Sequence, residues 1–68
     1  MAFSIHVTLK AKARSGLAIL VVDEDDNEVW IPESQIDADS EIWSFTDIGT
    51  QGKLVIPEWL AKKKGWDP

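Results

Sequence analysis

Cysteine and tyrosine are absent from this chain, histidine occurs once, and neither lysine nor arginine appears anywhere between Ser15 and Gly52. Each gap removes a class of explanation. Without cysteine there is no disulfide to staple a small fold and no thiolate to bind zinc or attack a substrate. His6 is the only imidazole and stands on the polar face of an alternating segment, no serine sits in a nucleophile motif, and no glycine-rich loop opens a helix for phosphate. The expectation is a protein that is not an enzyme and uses no cofactor. The longest apolar run, Leu17 to Val22, is a strand's length and too short to cross a bilayer as a helix, and the N-terminus has no basic region followed by an apolar block as an export signal would. A cytoplasmic protein with no membrane contact is expected.

What is present argues for one folded domain over residues 1–68. A hydrophobic content of 44% with four tryptophans is too much apolar area for a disordered chain, yet the length is near the lower limit for an unstapled core. The net charge is −5, and its distribution is more telling than its size. Ten of the twelve acids, Asp23, Glu24, Asp25, Asp26, Glu28, Glu33, Asp37, Asp39, Glu41 and Asp47, lie in the stretch without lysine or arginine. A nucleic-acid footprint needs a basic groove or stripe, so direct nucleic-acid binding is disfavoured; such a segment suits a basic partner surface or simply serves solubility.

Along the chain, Phe3, Ile5, Val7, Leu9, Ala11 and Ala13 alternate with Ser4, His6, Thr8, Lys10, Lys12 and Arg14, the pattern of a half-buried strand. Ser15-Gly16 marks a turn, and Leu17 to Val22 reads as a second strand, buried on both faces or at a sheet centre. Asp23 to Asn27 is a polar hairpin turn in which Asp26-Asn27 suits positive φ. Glu28 to Ile31 is the third strand, stopped by Pro32, and Ser34 to Ile36 forms a helical turn that returns Ile36 to the core. Glu41 to Phe45 alternates again and predicts a fourth strand, burying either Ile42 or the pair Trp43 and Phe45. A glycine-containing loop leads to a fifth strand, Lys53 to Ile56.

Pro57 to Gly65 then carries the marks of a short helix, with Glu58 at its positive end, Lys62 to Lys64 at its negative end and Gly65 as the cap. Trp59 or Leu60 should dock it on the sheet, with Trp66 folding back over the cap. Trp30, Trp43 and Trp59 are expected in the core or at the helix contact. The predicted fold is mainly β: a small five-stranded antiparallel sheet, twisted or curled into a partly open barrel of the SH3-like or OB-like kind, with one short C-terminal helix.

Asp23, Asp25 and Asn27 sit at the alternating positions of a calcium loop, but an EF-hand beginning at Asp23 would need glycine at Glu28 and a bidentate glutamate at Ser34, and its flanks would be helices. A solvated hairpin turn explains these residues better. Trp43 and Phe45 could stack on single-stranded bases, although Glu41 and Asp47 beside them would repel phosphates.

The pattern Trp30-Ile31-Pro32-x-Ser34-Gln35-Ile36, followed by Ile56-Pro57-x-Trp59-Leu60-Ala61-x-Lys63-x-Gly65, resembles small uncharacterised proteins of phages and other mobile elements. The resemblance implies a small protein that acts by binding another protein, as anti-CRISPR proteins do, several of which are small and acidic. The expected function is a non-enzymatic acidic protein that binds and inhibits or modulates a nucleic-acid-handling host protein, including by DNA mimicry. Its contact residues would be Asp23, Glu24, Asp25, Asp26, Glu28, Glu33, Asp37, Asp39 and Glu41. Two alternatives stand beside it. One is a nucleic-acid-binding accessory module of phage replication or recombination using Lys10, Lys12, Arg14 and Lys62 to Lys64 with Trp43; the other is a structural homodimer built on a strand edge and surplus aromatic area.

Overall fold

Strict alternation in the first strand sets one apolar face against one polar face, and every other element is placed by which of these it joins. The computed structural model describes residues 1–66. In it β1 (Ala2–Lys12), β2 (Ala18–Val22), β3 (Glu28–Pro32) and β4 (Gln51–Pro57) form one antiparallel sheet in the order β3-β2-β1-β4. A 3-10 turn, Glu33–Gln35, follows β3, and helix α1 (Glu58–Lys63) follows β4. At six residues, α1 is far too short to cross a membrane, and no other helix among the described residues is long and apolar enough to do so.

The register lines up one face of all four strands. Phe3 stands opposite Ile56, Ile5 opposite Leu54 and Val7 opposite Gly52; Leu9 pairs with Val21, which pairs with Val29, and Ile19 pairs with Ile31. Ile36 and Ile42 from the β3–β4 connection, Leu60 and Ala61 from α1, and Trp66 complete the core on that face. Between Leu9 and Ala11 the β1–β2 register shifts, making Lys10 the extra residue of a bulge. Ala11 therefore comes opposite Leu20, on the face away from the core, instead of continuing the alternation inward. Lys10 pairs there with Glu28, an ion pair whose two side chains are half exposed.

Four strands form, not five. The segment from Glu41 to Phe45 has the alternation of a strand, but only Glu41 bonds to β4, and around Trp43 the bonds are local: Thr46 N–H donates to the Trp43 carbonyl (3.1 Å), Trp43 N–H to Thr46 Oγ1 (2.9 Å), and Trp43 Nε1–H to the Ser40 carbonyl (3.1 Å). These side-chain bonds compete with a ladder and win. Ile42 is the residue buried, Trp43 is half-buried and Phe45 is exposed. The sheet is accordingly open, with β3 and β4 as its edges, not closed into a barrel.

The tryptophans are also redistributed. Trp30 lies between Val29 and Ile31, both of which face the core, so the period of two turns its ring to the other face, where it is 45% exposed. Trp59 is 58% exposed, and Leu60 docks α1 in its place. Leu17 precedes β2 and is exposed, while Ala18, Leu20 and Val22 are half-covered, so only one face of β2 is fully buried.

The β4 edge is sealed by the residues after the 3-10 turn. Asp37 N–H donates to the Val55 carbonyl (2.8 Å), and Glu41 N–H donates to the Lys53 carbonyl (2.7 Å). Lys53 N–H donates to Glu41 Oε1 (2.7 Å), and Ser40 Oγ accepts from Val55 N–H (2.8 Å) while donating to Val55 O (3.1 Å). Gly52 allows this approach, since a Cβ there would lie 3.1 Å from both Cβ and Oε1 of Glu41. At the other edge β3 is only five residues long and ends in Pro32, which has no N–H to offer.

Candidate binding site beside the turn after the second strand

Asp23 continues the inward alternation of Ile19 and Val21, which carries a carboxylate to the edge of the core, where it is only 8% exposed. Four donors meet it. Oδ1 accepts from the backbone N–H of Asp25 (2.8 Å) and of Asn27 (3.0 Å), and Oδ2 accepts from Asn27 Nδ2–H (3.1 Å) and Trp66 Nε1–H (2.8 Å). Burial alone pushes this carboxyl's pKa up. The hydrogen bonds from Asn27, Trp66 and Asp25 together outweigh it and hold the pKa below the usual aspartate value, so the group is a carboxylate at neutral pH.

The turn it organises is a short hairpin loop. Asp26 N–H donates to the Asp23 carbonyl (3.2 Å), Asp23 N–H donates to the Asn27 carbonyl (3.1 Å), and Asp26 takes the left-handed conformation at φ 65°. Glu24, Asp25 and Asp26 are exposed on it. Trp66 is brought to Asp23 by the end of α1. Gly65, at φ 90°, donates its N–H to the Lys62 carbonyl (3.1 Å), and Trp66 N–H donates to the Ala61 carbonyl (2.8 Å), the two bonds of a Schellman cap. The Trp66 ring stacks on Phe3 with centroids 6.2 Å apart.

Between this turn and β1 lies an open cleft of about 530 Å³. Phe3, Ser4, Ile5 and His6 form one wall, Asp23, Glu24, Asp25 and Asn27 the other, and Gly65 and Trp66 complete it. No lysine or arginine lines it. A second depression, of about 390 Å³, shares His6, Asp23 and Glu24 with the first and adds Asp26. The turn's carboxylates thus overlook two concave surfaces.

The nine acids singled out in the sequence do not make one continuous row. Glu24, Asp25 and Asp26 cluster at the turn, with Glu28 beginning β3 close by but engaged with Lys10. Asp23 is turned inward and its oxygens are occupied. Asp37, Asp39 and Glu41 belong to the segment bonded to β4, on the other side of β1 from the turn. Within that segment Asp37 Oδ1 accepts from Asp39 N–H (2.9 Å) and Glu41 Oε1 from Lys53 N–H. Glu33 is half-buried and accepts from Ser44 N–H (3.1 Å).

The basic residues are divided as well. Trp66, two positions after Lys64, stacks on Phe3, and Lys12 lies nine residues further along β1. That is roughly 30 Å of extended strand, comparable to the 27 Å long dimension of the molecule. Trp43 and Phe45 do stack, with centroids 5.9 Å apart and planes within 8°, and the segment that carries them is flanked by acids: Ser44 N–H donates to Glu33.

The chain matches no protein-family model, no curated protein and no solved structure.

Proposed function

We propose that this protein is a non-enzymatic acidic binding module that engages a basic surface of a nucleic-acid-handling protein and thereby inhibits or modulates it. The observation that carries this reading is the pinned turn: Glu24, Asp25 and Asp26 are exposed on a loop whose shape is fixed by the Asp23 carboxylate, beside a cleft lined by no lysine or arginine. Carboxylates held in place lose less entropy on meeting a cationic partner than carboxylates on a mobile loop, and they steer association from a distance.

Mimicry of a nucleic-acid backbone, in this reading, belongs to the turn and the start of β3. The second acidic group, on the far side of β1, contributes to the general negative field.

The test is displacement. Nucleic-acid-binding proteins of a bacterial lysate are loaded on immobilised DNA and washed with this protein or with its Glu24→Ser/Asp25→Ser/Asp26→Ser variant. Release of a discrete protein by the wild type and not by the variant is expected. Equal release by both, or release by neither, removes the reading.

A further inference from the structure

The backbone of β1 is used on one side only along its first half. Leu9 donates to the Thr50 carbonyl and accepts from Gly49 N–H, and the Met1 carbonyl accepts from Glu58 N–H, so the odd-numbered residues of β1 turn their N–H and C=O toward β4. Its even-numbered residues face the opposite way. Thr8 meets Val22 there, but β2 goes no further, because at Asp23 the chain bends into the hairpin with β3. The N–H and C=O groups of Ser4 and His6 are left pointing into the cleft of about 530 Å³, and none of the described residues pairs with them. Unsatisfied main-chain groups in a row are a template for another strand.

We propose that this cleft takes an extended peptide of alternating apolar and basic residues, which adds to the edge of β1 as a strand in the place that β2 vacates. Each feature of the occupant follows from a wall of the site. Ser4 and His6 supply two donors and two acceptors at the spacing of a β ladder. Phe3 and Ile5, half-buried on the core face beside Trp66, offer apolar surface to every second side chain. Glu24 and Asp25 stand across the cleft with no cation among the residues lining it, which selects lysine or arginine at the other positions. The sheet's other edges are less suited: β4 is sealed by Asp37, Ser40 and Glu41, and β3 is five residues long and ends in Pro32.

This proposal rests on the acidic-module reading and adds main-chain pairing to it, and the two are separated by one titration. The full chain is titrated with a capped peptide alternating lysine with valine, and with the same peptide N-methylated on the amides that would pair, which keeps its charge. The expected result is protection from hydrogen exchange at the Ser4 and His6 amides, with binding weakened about tenfold or more by N-methylation. Equal binding of the two peptides overturns strand addition and leaves the acidic site standing. Unchanged binding by the Glu24→Ser/Asp25→Ser/Asp26→Ser variant overturns the acidic site as well. Absence of binding by the unmethylated peptide, or amides of Ser4 and His6 already protected in the free protein through a second copy or the chain itself, overturns the proposal.

Discussion

The indole N–H of Trp66 reaches the Oδ2 atom of Asp23 at 2.8 Å, tying together two positions 43 residues apart in the chain. That bond connects the cap of the only α-helix among the described residues to the turn that presents the exposed acids. The stability of the acidic turn and that of the helix cap are therefore coupled, and disturbing either partner should be felt at both.

Replacing Asp23 with asparagine removes the charge and turns one acceptor atom into a donor that faces Asn27 or Trp66. The expected cost is roughly 2–3 kcal/mol, the scale for hydrogen bonds to a buried charged group, measured as a lower urea midpoint at neutral pH. The carboxyl's pKa is lowered in the folded state from an ordinary value of 3.8. Its contribution is thus fully present well above pH 3.8 and is lost as the pH falls through the folded value. The gap in stability between wild type and Asp23→Asn should narrow in acid. A gap that stays constant from pH 7 to pH 2 would show that the carboxylate's ionisation has no part in it.

Gly65→Ala isolates the helix cap. Nothing lies within 4 Å of a Cβ built there, so the whole effect comes from holding an L-residue at φ 90°. A loss of about 1–2 kcal/mol is expected, which for a domain of this size lowers the thermal midpoint by roughly 4–16 °C. A synthetic chain with D-alanine at the same position should recover most of that loss, because a D-residue prefers positive φ.

Ser40→Ala tests the seal on β4. The substitution strands the Val55 N–H while the Val55 carbonyl keeps its bond from Asp37 N–H. A cost of about 1–3 kcal/mol is expected from the orphaned donor. Hydrogen exchange at Val55 should accelerate well beyond any change at Val21 in the protected interior of the sheet, and Ser40→Thr should restore it. Equal acceleration at both amides would mean that the fold is loosened as a whole and that the seal is not local.

The strands from Ala2, Ala18, Glu28 and Gln51, the 3-10 turn and the capped helix are all legible in the sequence, because alternation, Pro32, Pro57 and Gly65 act locally. Positive φ at Asp26 was legible for the same reason. The missing fifth strand was not, since Glu41 to Phe45 alternates like its neighbours and only the bonds made by Thr46 Oγ1 and Trp43 Nε1 reveal a turn. The exposure of Trp30 could have been read from its position between Val29 and Ile31; hydrophobicity pointed the ring inward, and the period of two points it out. Among the consecutive acids Asp23 to Asp26, composition makes no distinction. Continuing the alternation Ile19, Val21, Asp23 does, and it singles out the one carboxylate that the core requires. The open edge at Ser4 and His6 had its own signal in the greater length of the first alternating run over the second.

The pairing of Ala2 with Pro57 and of Asp23 with Trp66 also bears on how the chain comes into being. During synthesis the hairpin of β2 and β3 can assemble as soon as it leaves the ribosome, but β1 has no β4 beside it and Asp23 lacks its indole until the residues through Trp66 have emerged. Until then the turn carries a carboxylate at the rim of an unfinished interior, without the indole that completes its hydrogen bonds. Folding is consequently completed only after nearly the whole described chain has been made, and a nascent chain released before Trp66 would lack the bond that locks the acidic turn to the helix.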